Sequence, residues 1–560
     1  VRNRTNAEDA IPARLKRPRG WALLTLGVAL GFAAVTVTRL PALALWPIAA
    51  GWLWLAHRLR WGEDAAAPMP RRRWPWSLLP LSLWGIYVYL ADSFGEVDLG
   101  AVFFHLQAGI SDHGGGERLV AAVLYTLAML AVLAAFTWLV RRDGRWARHE
   151  RLLAAVLLLG NPMLLGLGQR GMAFVTEDGA WLDRRYVPPV IQAAPADPPN
   201  LLVLYLESLE RTYADRERFG DAYGPLAELG RRGVVFEGIR QLDNTGWTMA
   251  GMIASQCGTP LMPAGLLHDS QFEPLDRVVP GVDCLGDLLS AQGYALSYLG
   301  GASTRFAGKG RFYTGHGVTR VRGRETLAPR LEDPDYLNSW GLYDDSLYAF
   351  TREEIRRREA EGGPWGVIAL SLGTHPPAGY PARACEARQG DHDGEDILYA
   401  VECSAWLAKR LVERLEAEGL LANTLVVIAS DHLTMRVSAW EQLIAGPRAN
   451  TLMLLHNDLI PRRLDREGST LDVLPTVLEA MGFRIAHHRA GLGVSLLSRE
   501  PTLVERHGLE AINARLKEET ALQRRLWEGL DLPRPEPASV RAEHSGEEPR
   551  ALPEKSASEG

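Results

Sequence analysis

The sequence has no surplus of basic charge, very little cysteine and no pairing of cysteines or histidines at metal-cluster spacing. Its 61 lysines and arginines are outnumbered by 67 aspartates and glutamates, for a net charge of −6 and a pI of about 6.2. That leaves no basic footprint for nucleic acid, so no nucleic-acid partner is expected. The four cysteines contain no Cys-x-x-Cys pair and no Cys/His spacing that suggests a zinc cluster. No internal repeat is found. From about Pro533 large apolar residues are almost absent and Pro, Glu, Ser and Arg take over, so 533–560 reads as a disordered tail. A mean hydropathy of −0.08 looks ordinary, but it averages two unlike halves.

Five apolar stretches precede residue 170: Trp21 to Val37, Pro41 to Leu55, Trp76 to Leu90, Leu119 to Val140 and Leu152 to Leu167. A spanning helix needs about 20 residues, so the short stretches need the flanking Trp46, Trp52, Trp54, Trp74 and Trp76 as interfacial anchors. Each short stretch also reads as a buried helix of a soluble fold. Arginines crowd the N-terminus (Arg14, Arg17, Arg19), the second connection (Arg58, Arg60, Arg71 to Arg73) and the fourth (Arg141, Arg142, Arg145, Arg148, Arg151). The third connection is acidic, with Asp92, Glu96, Asp98, Asp112 and Glu117. By the positive-inside rule the basic connections are cytoplasmic, and an odd number of spans puts everything after Leu167 outside. The expectation is a cytoplasmic N-terminus at 1–19 and an α-helical transmembrane domain of about five helices at 20–168, a multi-pass protein of an inner membrane. A cleavable signal does not fit five apolar runs.

All four cysteines, Cys257, Cys284, Cys385 and Cys403, lie in the second half. An even number in an oxidising compartment suggests two disulfides, and proximity favours Cys257 with Cys284 and Cys385 with Cys403; four buried thiols are the alternative. Residues 169–200 read as a juxtamembrane segment and Pro-rich linker. From 201 to 500, short apolar runs alternate with helical segments such as AWLAKRLVERLEAEG, which predicts an α/β domain with a largely parallel central sheet. A C-terminal helix is expected at 501–532.

Ligands in open α/β sheets sit beyond the carboxyl ends of the strands, and several runs here end on chemistry. LLVLYL ends on Glu207, LVVIA leads to Asp431 and His432, WGVIALSL leads to Thr374 and His375, and ALSYL ends on Gly300 and Gly301. Singly, Glu207 reads equally as a first-turn helix residue, Asp431 as a helix cap and His375 as a loop histidine. Together, two carboxylates and an imidazole at corresponding strand ends make a hard site for one divalent ion: manganese, magnesium or zinc. DNTGWTMAGMIASQCG, Asp243 to Gly258, brings Thr245 and Thr248 into a glycine-rich loop that continues as a helix of small residues. A hydroxyl at such a helix start gains N–H groups that hold phosphate oxygens, and a neighbouring cation activates it as a nucleophile for phosphoryl transfer. Either threonine reads alternatively as an N-cap. Thr248 stands where the helix begins and is the expected nucleophile.

YLESLERTY, NTGWTMAGMIASQCGTPL, RFAGKGRF, WGLYDDSLY, LSLGTHPP and SDHLTM, in that order, resemble the phosphoglycerol transferase branch of the alkaline phosphatase and sulfatase superfamily. The resemblance runs from about Ser93 to Leu497 and includes FGEVDLGAVFFHLQ. It implies an alkaline-phosphatase-like domain in the periplasm. It also implies that Glu207, Thr248, Asp431 and His432 are metal ligands, as in the related lipoteichoic acid synthases, with manganese as the expected ion. Thr248 is then also the nucleophile, His375 meets the substrate phosphate, and Arg311 or Lys309 approaches phosphate or glycerol. The implied reaction is membrane-anchored: Thr248 takes a glycerophosphoryl group from phosphatidylglycerol, and a hydroxyl of a periplasmic glucan accepts it. Longer members carry a further C-terminal domain that this chain replaces with a short helix and tail.

Other readings share part of this pattern. A phosphoethanolamine transferase or a polyglycerolphosphate synthase keeps the metal site and changes the donor or acceptor pocket. A sulfatase presents Cys or Ser in a C/S-x-P-x-R context, and no such motif follows Glu207. A metal-free membrane sensor or binding ectodomain has no use for the set Glu207, Thr248, Asp431 and His432.

Overall fold

In the computed structural model, the described residues are 78–94, 125–134, 154–155, 157–164, 179–262, 277–391 and 397–529. Between 191 and 485 the strands are β1 (Ile191–Ala193), β2 (Asn200–Leu206), β3 (Val234–Arg240), β4 (Ala295–Gly300), β5 (Arg320–Arg322), β6 (Trp365–Leu370), β7 (Thr424–Ser430), β8 (Leu452–Leu455), β9 (Arg462–Ser469) and β10 (Arg484–Ile485). Eight of them form one sheet in the order β5-β4-β6-β2-β7-β8-β3-β9. Every pair is parallel except those made by β8, which runs antiparallel to β7 and to β3. Helices used below are α1 (Leu78–Phe94), α2 (Thr248–Cys257), α3 (Lys309–Gly315), α4 (Arg324–Leu327), α5 (Asp344–Glu361), α6 (Ile397–Ala417) and α7 (Ala521–Leu526).

The central strands are apolar on both faces because both faces are covered. Along β2, Leu201, Val203 and Tyr205 enter one core, with Met249, Ile253 and Ala254 of α2. The alternate residues Leu202, Leu204 and Leu206 enter the other, with Leu347 and Ile355 of α5 and Val401, Ala408 and Leu411 of α6. The period of two in the strand sorts neighbours onto opposite layers, and each fully buried leucine or valine contributes about 1.5–3 kcal/mol. The α/β domain expected from residue 201 onward is therefore present. The two expected disulfides, Cys257–Cys284 and Cys385–Cys403, are both formed.

The chain on either side of that domain is packed onto it. β1 pairs with β10, Ile191 opposite Ile485. The α7 region reaches back to residues 179–183: Thr520 N–H donates to Gly179 O at 2.8 Å, Leu182 N–H to Glu519 Oε2 at 2.7 Å, and Arg525 pairs with Asp183 at 2.6 Å.

The five-span membrane domain is corrected. Among the described residues no helix is long and apolar enough to cross a membrane. Of the stretch Trp76 to Leu90, residues 78–90 fall in α1, which has 17 residues and extends about 26 Å against a hydrocarbon core of about 30 Å. Helix within Leu119 to Val140 is described only for 125–134, and Leu152 to Leu167 only in pieces between 154 and 164. The stretches Trp21 to Val37 and Pro41 to Leu55, the N-terminal 1–19 and the tail 533–560 lie outside the described residues. With the spans go the assignments built on them: membrane anchoring, multi-pass inner-membrane location and a periplasmic catalytic domain. Apolar run length and arginine bias, from which they were argued, measure composition and not helix length.

Candidate metal centre and nucleophile

β2 and β7 are neighbours in register, Leu206 opposite Ser430, so the next residues on each, Glu207 and Asp431, emerge side by side. Ser208 follows with φ of 54°, a left-handed conformation that costs a non-glycine residue energy and persists where the surroundings require it. The bend aims Ser208 N–H at Asp431 Oδ1, at 2.9 Å, and Ser208 Oγ at Glu207 Oε1, at 3.1 Å. Asp431 Oδ1 also receives the N–H of His432 at 2.9 Å. His432 Nδ1–H donates to Leu433 O at 2.7 Å, and a carbonyl can only accept, so Nε2 carries the lone pair of the neutral ring. That nitrogen lies 3.2 Å from Glu207 Oε1 and 3.5 Å from Asp431 Oδ2.

Three ligand atoms of Glu207, Asp431 and His432 lie within 4.8 Å of one another, on side chains 2, 0 and 1 % exposed. Asp431 Oδ2 and His432 Nε2 have no hydrogen-bond partner. Buried polar atoms left unpaired are costly, and two of them facing a third acceptor mark a place for a cation. Two carboxylates, a backbone-anchored imidazole and a nearby hydroxyl suit manganese, magnesium or zinc and carry no preference for manganese. The electrostatics agree. Burial, with Glu207 next to it, pushes Asp431 up to about 8. Burial alone would raise Glu207 too, but the imidazole of His432, with Nε2 3.2 Å away, holds it below the usual carboxylate range. Burial would lower His432, yet Asp431 and Glu207 hold it up at about 9. The trio by itself tolerates one carboxylate charge beside one imidazolium, and a divalent ion removes that restriction.

The two threonines separate clearly. Thr245 is fully buried and its Oγ1 donates to Leu242 O at 2.8 Å. Thr248 is half-buried at the first turn of α2, its Oγ1 3.4 Å from Glu207 Oε2. The residue before it, Trp247, caps α2 without a side-chain hydrogen bond, which leaves first-turn N–H groups for an anion. The small residues of α2 have a reason: a Cβ on Gly251 would lie 1.8 Å from the Asp431 carbonyl oxygen. Only glycine lets this helix approach the end of β7 so closely.

The third strand end, that of β6, comes in as expected. Thr374 Oγ1 donates to the Glu207 carbonyl. His375 sits against the Trp340 ring at 4.3 Å between centroids, and its Nδ1–H donates to Pro376 O at 2.8 Å. His375 is close enough for its charge to lower Glu207. Lys309 and Arg311 begin α3 about 200° apart around the helix. Lys309 is 3 % exposed with Nζ 4.8 Å from the Phe306 ring centroid; burial lowers it to about 8, against the opposing pull of Glu207 and Asp431. Arg311 is half-buried.

Sequence reading missed the supports. Asp344 accepts the N–H groups of Leu372 at 2.8 Å and Gly373 at 3.0 Å and the Ser404 hydroxyl at 2.8 Å, which fixes the turn bearing Thr374 and His375. Glu210 takes Arg448 at 2.6 Å and Thr434 N–H at 3.2 Å, which fixes the segment after His432. The only hint was that Asp344 and Glu210 recur inside WGLYDDSLY and YLESLERTY. A second possible ligand group, Cys284, Asp287 and His316, was also missed. Its sulfur is spent in the disulfide, and His316 is bonded at both nitrogens, to Asp287 Oδ2 at 2.5 Å and Val278 O at 2.8 Å.

A largely parallel sheet with a threonine hydroxyl at a helix start and an acidic, imidazole-bearing cluster of possible metal ligands at its carboxyl rim points to the class, and residues 199–483 match the Sulfatase family. The chain belongs to that family, within the alkaline phosphatase superfamily of hydrolases and transferases. It is related to phosphoglycerol transferase I: it is 31 % identical over 444 residues to that of Salmonella newport, and 32 % identical over 443 residues to that of Escherichia fergusonii, each match covering 76 % of this chain. The matches cover 57 % of those relatives, so the chain spans little more than half their length. Among solved structures it is similar to an alkaline phosphatase superfamily protein from Vibrio parahaemolyticus, at 20 % identity and TM-score 0.45 over 54 % of this chain and 70 % of that one. It is also similar to a lipoteichoic acid synthase from Listeria monocytogenes, at 16 % identity and TM-score 0.43 over 53 % of this chain and 76 % of that one.

Proposed function

We propose that the chain transfers a phosphoryl-linked glycerol group from a glycerophospholipid-type phosphodiester to an acceptor hydroxyl, with Thr248 as nucleophile. The observation that supports this most is the Thr248 hydroxyl at a helix N-terminus, 3.4 Å from Glu207 in the cluster whose Asp431 and His432 atoms lack partners. Similarity to phosphoglycerol transferase I supplies the phosphoglycerol group; the glycerophospholipid donor is part of the proposal.

Glu207, Asp431, His432 and the Thr248 hydroxyl would hold one divalent ion, manganese in this proposal; when bound it would lower the hydroxyl pKa and stabilise negative charge on the phosphoryl group. Thr248 Oγ1 forms the new bond to phosphorus while the bond to the departing alcohol oxygen breaks. The threonine proton passes to its acceptor, Glu207 Oε2. Because Nδ1 of His375 is occupied by Pro376 O, Nε2 is the atom that gives a proton to the departing oxygen and later takes one from the acceptor hydroxyl. That hydroxyl displaces Thr248, which recovers its proton. Lys309, beside Phe306, meets the phosphoryl oxygens, with Arg311 at the glycerol side. The α2 N–H groups hold the same oxygens.

The test is to quench the metal-loaded protein with a soluble glycerophosphodiester and map its peptides by mass. A glycerophosphoryl adduct on Thr248, absent in Thr248→Ala, is the expected result, with turnover of the variant down by at least about a thousandfold. An adduct on Thr245, or near-normal turnover by Thr248→Ala, overturns the assignment.

A further inference from the structure

At the sheet edge, three strands from Glu207, a second charged site faces solvent. β5 pairs in parallel with β4, Arg322 opposite Leu299, so Arg322 stands on the same carboxyl rim as the metal centre, about 14 Å along it at the usual strand spacing. Arg322, Thr326, Arg330 and Arg357 line an open cleft of about 430 Å³. Behind it, five guanidiniums share three carboxylates. Arg330 and Arg357 both pair with Glu353. Arg320 and Arg358 both pair with Glu354 and Glu361, and Arg322 with Glu354 alone.

Arg322 is the informative member. Its contact with Glu354 Oε2 is long, 3.6 Å, and that buried oxygen has no hydrogen-bond partner. A guanidinium offers five N–H donors in a planar fork that matches an oxyanion. Here the fork is three-quarters buried and turned to a cleft with two further guanidiniums and a hydroxyl. Thr326 donates its proton to Gly323 O at 3.1 Å, which fixes its oxygen in place. An excess of positive charge lining a cleft attracts anions.

We propose that this cleft is an oxyanion site that takes one phosphate group, either a second phosphodiester of the substrate or free inorganic phosphate. It rests on the arginine cluster and not on the chemistry at Thr248. The full chain in a chelator, which disables anion binding through a metal, is titrated by calorimetry with inorganic phosphate and separately with glycerophosphoglycerol. One anion per chain is expected, bound at least about tenfold more weakly by Arg330→Gln/Arg357→Gln and unchanged in Lys309→Gln. Both arginines pair with the half-exposed Glu353, and Arg330 also lies over the Phe350 ring; such surface contacts contribute little, so the double variant should melt within a few degrees of the wild type. Tighter binding of the diester names the substrate as the source, and tighter binding of inorganic phosphate names the free anion. No binding in chelator, or binding lost in Lys309→Gln and kept in the arginine variant, overturns the proposal.

Discussion

Among the described residues, two groups of side chains have the residue types of a metal site, Glu207/Asp431/His432 and Cys284/Asp287/His316, and they differ in what their lone pairs already do. In the second, the sulfur is bonded to Cys257 and both imidazole nitrogens have protein partners; Asp287 also accepts the Cys284 N–H at 2.9 Å and pairs with Arg277 at 2.8 Å. Every charge there is answered by protein, so the group is a structural clasp between the start of the helix at 285 and the end of α3. In the first, one oxygen of Asp431 and one nitrogen of His432 face each other and Glu207 with nothing between them. Residue type proposes a metal site; unsatisfied atoms converging on one point are what distinguish it from a clasp.

The comparison is sharpest where backbone spacing holds the first group open. Gly251→Ala places a methyl 1.8 Å from the Asp431 carbonyl oxygen, so α2 must move away from β7 and carry Thr248 with it. A displacement of about 1 Å costs roughly a hundredfold in rate, and kcat is expected to fall by that order while the disulfides still form. Normal kcat in this variant would show that Thr248 need not be held against the centre.

Breaking the clasp should hurt stability and spare chemistry. Cys257→Ala/Cys284→Ala is expected to lose about 2–5 kcal/mol in denaturant unfolding with metal stoichiometry unchanged. Loss of the bound ion in a folded double variant would mean that the two groups are not separate in function.

The smallest effect lies in pH. Asp344 and Asp472 are buried carboxyls outside both groups, and burial raises each to about 6 despite their backbone N–H partners. A carboxyl raised on folding contributes stability that is complete below its unfolded value, near 3.8, and is lost as pH rises through about 6. Stability should therefore fall across that window, by at most about 1.4 kcal/mol per pH unit for each group. Asp472→Asn should flatten its share of the slope; an unchanged slope means Asp472 is ionised throughout.

Much of the site was legible because strand ends are local signals. An apolar run terminating on Glu207 or Asp431 states both the strand and the position of its polar end, and parallel neighbours bring such ends together. The cysteine pairs were legible because few alternatives exist for four residues. The contrast between Thr245 and Thr248 was half legible: the helix start pointed to Thr248, but the burial of Thr245 and its bond to Leu242 O are a matter of coordinates. What could not be read were partners far apart in the chain. Glu210 with Arg448, Asp344 with the turn at 372, Glu519 with Leu182, and the edge cleft around Arg322 depend on which strands are neighbours. The membrane domain was misread because an apolar stretch says nothing of where its helix begins and ends; among the described residues α1 has 17 residues and no helix is long and apolar enough to cross a membrane.

The central claim is that Glu207 and the orphaned atoms of Asp431 and His432 hold one divalent ion and the saturated clasp holds none. Calorimetric titration of chelator-stripped protein with manganese tests it directly, comparing the wild-type chain with Asp431→Asn and His316→Gln. The account predicts one ion per chain, lost in Asp431→Asn and retained at wild-type affinity in His316→Gln. Binding that survives Asp431→Asn and disappears with His316→Gln would contradict it.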